Sequence, residues 1–178
     1  VGQYYERAQG QASPWADHPG QSNFGGFKSC RQSYHILMTD GYWNSDPAKT
    51  AAAKNNVDAV DGNLIGNDMG GNAIKYLAVT PYKDSSSNTL ADIAAYYWKR
   101  DLQPAIKNKI TPSTEDPAYW QHMVNFTVSF GVDGTLSPSA DTLAALTAGT
   151  LTWPTIATSG ANSEIPKKVD DLWHAAIN

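Results

Sequence analysis

Apolar residues in this chain occur in short patterned runs separated by long polar stretches. Val1, Tyr4, Tyr5 and Ala8 recur at the spacing of an amphipathic helix, and Gly10 closes that segment. Residues 10–29 are rich in Gly, Gln, Ser and Pro and read as loop. The run Tyr34-His35-Ile36-Leu37-Met38 predicts a buried strand over residues 33–39, ended by Thr39-Asp40-Gly41. From Asn44 to about Asn72 the chain is mostly polar, and a stretch of that length inside a domain points to a functional or mobile loop. A helix follows, opened by the capping-box pair Thr89 and Asp92. Leu90, Ile93, Ala94 and Tyr97 line one face, Ala91, Ala95 and Trp98 widen it, and Pro104 bounds it. Val124, Phe126, Val128 and Phe130 alternate with Asn125, Thr127 and Ser129, which predicts a strand with its apolar face buried. Ser137-Pro138 opens a further helix in which Leu143 and Leu146 pack inward and Gly149 caps the end. Val169, Leu172, Trp173 and Ala176 mark a last amphipathic segment, beside Asp170 and Asp171, acids that suit a helix N-terminus.

The order helix, strand, helix, strand, helix, helix predicts an α/β fold with a parallel sheet. Two strands make a poor sheet alone. Further strands are therefore expected in residues 60–82 and 150–157, or outside this chain. A length of 178 residues fits one domain, residues 1–178, with room for a core.

Composition sharpens the picture in a few places. With 41% apolar and 17% charged residues, the surface is built largely from uncharged polar side chains, which suits an extracellular or periplasmic protein. A net charge of −4 supplies no basic stripe for phosphates, so no nucleic-acid partner is expected. No apolar run approaches the roughly 20 residues of a membrane span. Val1 in first place reads as the start of a piece cut from something longer. Cys30 is the one cysteine, so no disulfide closes within the chain; it reads as a small buried residue, or as one whose partner lies elsewhere.

Asp40 is the first chemical candidate. A carboxylate ending an apolar strand must be solvated, hydrogen-bonded or metal-bound. Thr39, Asn44, Ser45 and Asp46 add oxygen donors nearby, the ligand type that hard dications take. Turn capping by Asp before Gly is the competing account. The second candidate is Asn55–Asn72, where Asp58, Asp61, Asn63, Asn67 and Asp68 stand among glycines and could wrap Ca²⁺, although the spacing is not that of an EF-hand. His18, His35, His122 and His174 form no H-x-x-x-H or His-Glu pair at ligand spacing, and His35 and His122 read as structural. No nucleotide-binding or serine-hydrolase signature is present. Trp98 and Trp173 look like core, whereas Trp15, Trp43, Trp120 and Trp153 lie in or near loops, with Trp43 a possible sugar platform. A carbohydrate-binding module using Trp43, or a metal-dependent hydrolase centred on Asp40, are thus alternative functions.

Four long segments carry a resemblance: Cys30–Asn44 (CRQSYHILMTDGYWN), Ser87–Pro104 (SNTLADIAAYYWKRDLQP), Asp116–Met123 (DPAYWQHM) and Val169–Asn178 (VDDLWHAAIN). In this order they resemble the type IV pilus tip-associated adhesin and biogenesis proteins of the PilC/PilY type. The resemblance implies part of a von Willebrand factor A-like, Rossmann-like domain with long loop insertions. It implies a non-enzymatic role in pilus biogenesis, surface adhesion and twitching motility, at the bacterial cell surface, pilus tip or outer membrane, after passage through the periplasm. Pilin or minor pilins and host or abiotic surface ligands are the implied partners. Asp40 would then be one ligand of a metal-ion-dependent adhesion site, with Mg²⁺ or Ca²⁺ in the full-length protein. The D-x-S-x-S loop of such sites is absent from this sequence, so its other ligands are expected outside these residues, and no tight cation is expected on this chain alone.

Overall fold

A computed structural model describes residues 1–43, 48–67, 71–157 and 164–178. The elements are α1 (Gly2–Tyr5), β1 (Tyr34–Thr39), a 3₁₀ turn (Ala51–Lys54), β2 (Gly66–Asn67), β3 (Ala73–Ile74), α2 (Leu90–Trp98), β4 (Val124–Ser129), α3 (Ala140–Thr147) and α4 (Ile165–Ile177). Helix and strand are mixed, and the strands form two small sheets, β1 with β4 and β2 with β3. Val124 N–H donates to the Ser33 carbonyl and Phe130 N–H to that of Thr39. Both strands advance together between those bonds, so β1 and β4 are parallel. β2 and β3 are antiparallel, with Gly66 opposite Ile74 and Asn67 opposite Ala73. No strand forms over 150–157.

The chain folds as two compact units. The first comprises Val1–His35, Asn63–Lys75 and Tyr97–Val124. Its core sets Trp15 against Ile106 and Ile110, with Tyr5 and Phe27 packed on them. Loops of such polar sequence need side chains to satisfy their backbone. The Arg31 guanidinium donates to the carbonyls of Pro14 and Ala16, and the Gln103 amide donates to those of Tyr5 and Arg7. Trp120 is wholly buried and donates its indole N–H to Trp98 O, while Met123 N–H donates to Tyr97 O. Those two carbonyls belong to the last turn of α2. Tertiary bonding takes them over, and the helix stops at Trp98, well short of Pro104.

The second unit comprises Ile36–Gly62, Tyr76–Tyr96 and Asn125–Asn178. Here the capping box forms as its sequence requires. Asp92 accepts from Thr89 N–H and Oγ1–H, and Thr89 Oγ1 accepts from Asp92 N–H. Ser139 caps α3 by accepting from Thr142 N–H, Leu146 is buried, and Gly149 takes the left-handed conformation just past the helix end.

Several expectations are corrected. α1 is a single turn. β1 and β4 share a side with their apolar residues, as the alternation requires, but that side faces outward: Ile36 is 63% exposed, Met38 64% and Phe126 49%. The polar side of β4 faces in because its hydroxyls are bonded: Thr127 to the Leu172 carbonyl on α4 and Ser129 to the Gly41 carbonyl. α4 begins at Ile165, so Asp170 and Asp171 lie within the helix rather than at its start, and both are buried. Cys30 is exposed. The deepest tryptophans are the loop residues Trp15, Trp120 and Trp153, whereas Trp98 and Trp173 are half-buried.

A buried acid–histidine cluster as candidate functional site

The chemistry of the second unit gathers around the start of α2 and the inner face of α4. Asp171 on α4 accepts from Leu90 N–H (2.8 Å), Ala91 N–H (3.1 Å) and the Trp43 indole N–H (2.7 Å). A carboxylate from another helix thus satisfies donors that the first turn of α2 leaves orphaned. Asp92 does the same for a loop: besides its capping bonds, it accepts from Val57 N–H (2.5 Å) and Asp58 N–H (3.4 Å). That pair of bonds fixes the backbone that presents Asp58.

Asp58 is wholly buried, and its Oδ1 accepts from Asp84 N–H (3.3 Å). Asp84 Oδ1 accepts from Ser86 N–H (2.7 Å). One turn beyond Asp171, His174 is 1% exposed; its ring stacks on Trp153 at 4.3 Å and 15°, and its Nε2 lies 3.0 Å from the Tyr82 carbonyl. Tyr76 donates its hydroxyl to the Asp58 carbonyl. The remaining polar atoms point at one another. Asp58 Oδ2 is 3.7 Å from His174 Nε2, and Asp84 Oδ2 is 3.6 Å from His174 Nδ1. One ligand atom from each of Asp58, Asp84 and His174 falls within 4.8 Å of the others, and this is the one such convergence of acid, histidine or cysteine donors among the described residues.

Burial dominates the electrostatics. It pushes the Asp58 carboxyl up to about 7, with the neighbouring charges of Asp84 and Asp92 adding to it and His174 opposing. Burial likewise raises Asp92, and it pushes Asp171 up to about 6 against its three donors. For His174 burial works toward the neutral form, but Asp84, Asp58 and Asp171 outweigh it and hold the imidazole above its ordinary value. The site can hold a proton or a cation at a point shared by two carboxylates and an imidazole.

The sequence candidates separate. Asp40 is exposed just after β1 and is not part of the cluster. Asn44, Ser45, Asp46 and Asp68 lie outside the described residues. Asp58 turns into the cluster, whereas Asp61 is exposed and accepts from Ala78 N–H, and Asn63 is exposed in the first unit. Trp43 is engaged inside its unit, bonded to Asp171 with the Lys168 ammonium 4.7 Å over its ring. Sequence reasoning missed Asp84 and the pairing of His174. The i, i+3 spacing of Asp171 and His174 on one helix face was the available signal; nothing local pointed to Asp84.

A mixed α/β segment with a parallel strand pair and a buried acidic cluster defines a class only broadly, and similarity narrows it. The chain is a PilY1/PilC-type sequence over nearly its whole length. It is 37% identical to the type IV pilus biogenesis factor PilY1 of Pseudomonas aeruginosa strain PAK over 95% of the chain. The corresponding proteins of strains PAO1 and UCBPP-PA14 are 38% and 40% identical over 95% and 84% of the chain. The chain spans about 15% of the length of the PAK and PAO1 proteins. No family model matches it, and no solved structure does. Among the described residues, no helix is long and apolar enough to cross a membrane.

Proposed function

We propose that the chain is one segment of a non-enzymatic type IV pilus biogenesis factor that works at the bacterial cell surface, at the pilus tip or outer membrane, after crossing the periplasm. The observation that carries this reading is the identity of 37–40% with PilY1 proteins over most of the chain. Within the full-length protein the segment belongs to a von Willebrand factor A-like domain. Asp40 contributes there to a Mg²⁺ or Ca²⁺ adhesion site whose other ligands come from elsewhere in the protein. The parallel pairing of β1 with β4 supports this, because Asp40 directly follows the carboxyl end of β1, where ligands gather in open α/β sheets. Pilin or minor pilins and host or abiotic surfaces are its partners, and twitching motility depends on them.

The test uses the full-length protein in a piliated bacterium. Asp92→Ala, which loosens the fold of the segment, should lower the amount of surface pilin and shrink the twitching zone. Asp40→Ala should leave pili assembled but reduce attachment to a surface. Normal piliation after in-frame deletion of the whole segment would overturn the biogenesis role. Unchanged attachment in Asp40→Ala would overturn the adhesion role alone.

A further inference from the structure

The two buried histidines make an internal comparison. In the first unit His122 is 3% exposed and has both ring nitrogens partnered: Nδ1 lies 2.7 Å from the Trp120 carbonyl and Nε2 lies 2.9 Å from Asp116 Oδ2. His174 has one. Nε2 lies 3.0 Å from the Tyr82 carbonyl, which only accepts, and 3.3 Å from the Asn178 side-chain amide; the shorter contact has Nε2 carrying the proton and donating it to Tyr82. Nδ1 is left buried without a hydrogen-bond partner, and so is Asp58 Oδ2. Asp84 Oδ2 stands 3.6 Å from Nδ1. Asp58 Oδ2 stands 3.7 Å from Nε2, beyond hydrogen-bond reach, so its lone pairs and that of Nδ1 are buried without a donor, which is costly unless a positive species sits among them. The other two acids of the cluster do not share this deficit, since Asp92 and Asp171 have each oxygen bonded to at least one N–H donor.

We propose that Asp58, Asp84 and His174 form a binding site for a transition-metal dication of the Zn²⁺ type, with one carboxylate oxygen from each aspartate and one ring nitrogen of His174 as ligands. Two donors about 2.1 Å from a tetrahedral ion lie ~3.4 Å apart. Asp84 Oδ2 is 3.6 Å from Nδ1, Asp58 Oδ2 is 3.7 Å from Nε2, and one donor atom from each of the three residues lies within 4.8 Å of the others, so a small closure of the three side chains brings them to that spacing. The bond from Nε2–H to Tyr82 is the outer-shell contact that fixes a metal-binding histidine with its other nitrogen bare. An imidazole ligand and three protein donors suit Zn²⁺, whereas Ca²⁺ takes six to eight oxygens. The site is distinct from Asp40 and runs against the expectation that the chain holds no tight cation. Its ligands come from three separate stretches, so a bound ion would tie the 57–58 loop, the segment before α2 and α4 to one another.

Equilibrium dialysis of the metal-free chain against Zn²⁺, Mn²⁺ and Ca²⁺ tests the site, with bound metal counted by mass spectrometry. The expected result is one equivalent of Zn²⁺, bound at least tenfold more tightly than Ca²⁺, and a rise in unfolding temperature on loading. Asp84→Asn keeps the acceptor for Ser86 N–H while removing the ligand charge, and should weaken Zn²⁺ binding at least tenfold. His174→Gln should abolish it, and Co²⁺ loading should give visible d–d absorption in the parent that both variants lose. No bound Zn²⁺, or Zn²⁺ binding undiminished in folded Asp84→Asn, would overturn the proposal. So would ¹⁵N spectra in which His174 remains an imidazolium with Zn²⁺ in excess.

Discussion

Replacing Asp92 by Ala tests the step that connects the start of a helix to the placement of the cluster. The Asp92 carboxylate is wholly buried and accepts from Thr89 N–H, Thr89 Oγ1–H and Val57 N–H at 3.0, 2.9 and 2.5 Å, with a weaker contact from Asp58 N–H at 3.4 Å. Removing an N-terminal cap on an exposed helix costs about 0.5–2 kcal/mol because water takes its place. Water has no easy access here, and each buried donor left unpaired costs about 1–3 kcal/mol. Two such donors, Thr89 N–H and Val57 N–H, together with the lost hydroxyl bond, put Asp92→Ala at about 3–5 kcal/mol. Urea unfolding followed by tryptophan fluorescence, compared at constant slope, measures it. Thr89→Ala should cost about 1 kcal/mol, and the double variant less than the sum, because both residues delete the same bonds. A loss below about 1 kcal/mol in Asp92→Ala would refute the reasoning, because it would mean that the loop finds other acceptors and is not held by this carboxylate.

Further outcomes follow from other parts of the structure. A Cβ on Gly134 would come within 2.0 Å of Asp170 Oδ1, an oxygen held by Leu136 N–H at 3.0 Å, so Gly134→Ala should cost about 1–3 kcal/mol in the same assay; a neutral result would mean that the turn shifts freely. Ile36→Thr and Met38→Thr on the exposed sheet face should each change stability by less than about 0.5 kcal/mol and reduce binding of an apolar dye; a loss above ~1.5 kcal/mol would show that the face is covered within the chain. The Asp116 carboxyl is half-screened by burial, which raises it, but hydrogen bonding and charge from His122 prevail and hold it below its ordinary value. A lowered folded-state value gives stability that is present above the unfolded value of about 3.9 and lost as pH falls through the folded one. The stability gap between the parent and Asp116→Asn should therefore be fully open at about pH 5 and close as pH falls below about 4, and a gap that widens toward acid would contradict the assignment.

Which parts of this chain were readable from sequence depends on how local their causes are. The Thr89–Asp92 cap, the left-handed Gly149 and the presence of a strand at β4 are settled within a few residues, and all three appear as read, although the buried side of β4 does not. Alternation says which residues share a side of a strand, but not which side the rest of the protein covers. In β4 the hydroxyls of Thr127 and Ser129 bond to α4 and to Gly41, so the polar side faces in and Phe126 and Val128 face out. The same limit explains Asp170 and Asp171. Acids beside an amphipathic run suggest that helix's own N-terminus, yet Asp171 serves the N-terminus of α2, and Asp170 the backbone of Thr135 and Leu136.

The cluster lies furthest from local reasoning because no two of its members are neighbours. Asp58 sits in a glycine-rich loop and reads there as one more solvated acid, His174 sits on a helix without a second ligand at i+4, and Asp84 stands in a plain Asp-Ser-Ser stretch. What joins them is a sequence of ordinary structural bonds. The capping box orients Asp92, Asp92 holds Val57 and Asp58, and Asp171 ties α4 to the start of α2 one turn before His174. The residues that build the site are thus helix-capping acids whose own oxygens are satisfied, and the residues they deliver are the ones left with free lone pairs. If the site binds an ion, the cap and the ion are coupled: loosening Asp92 should weaken the metal as well as the fold, even though Asp92 touches no ligand atom.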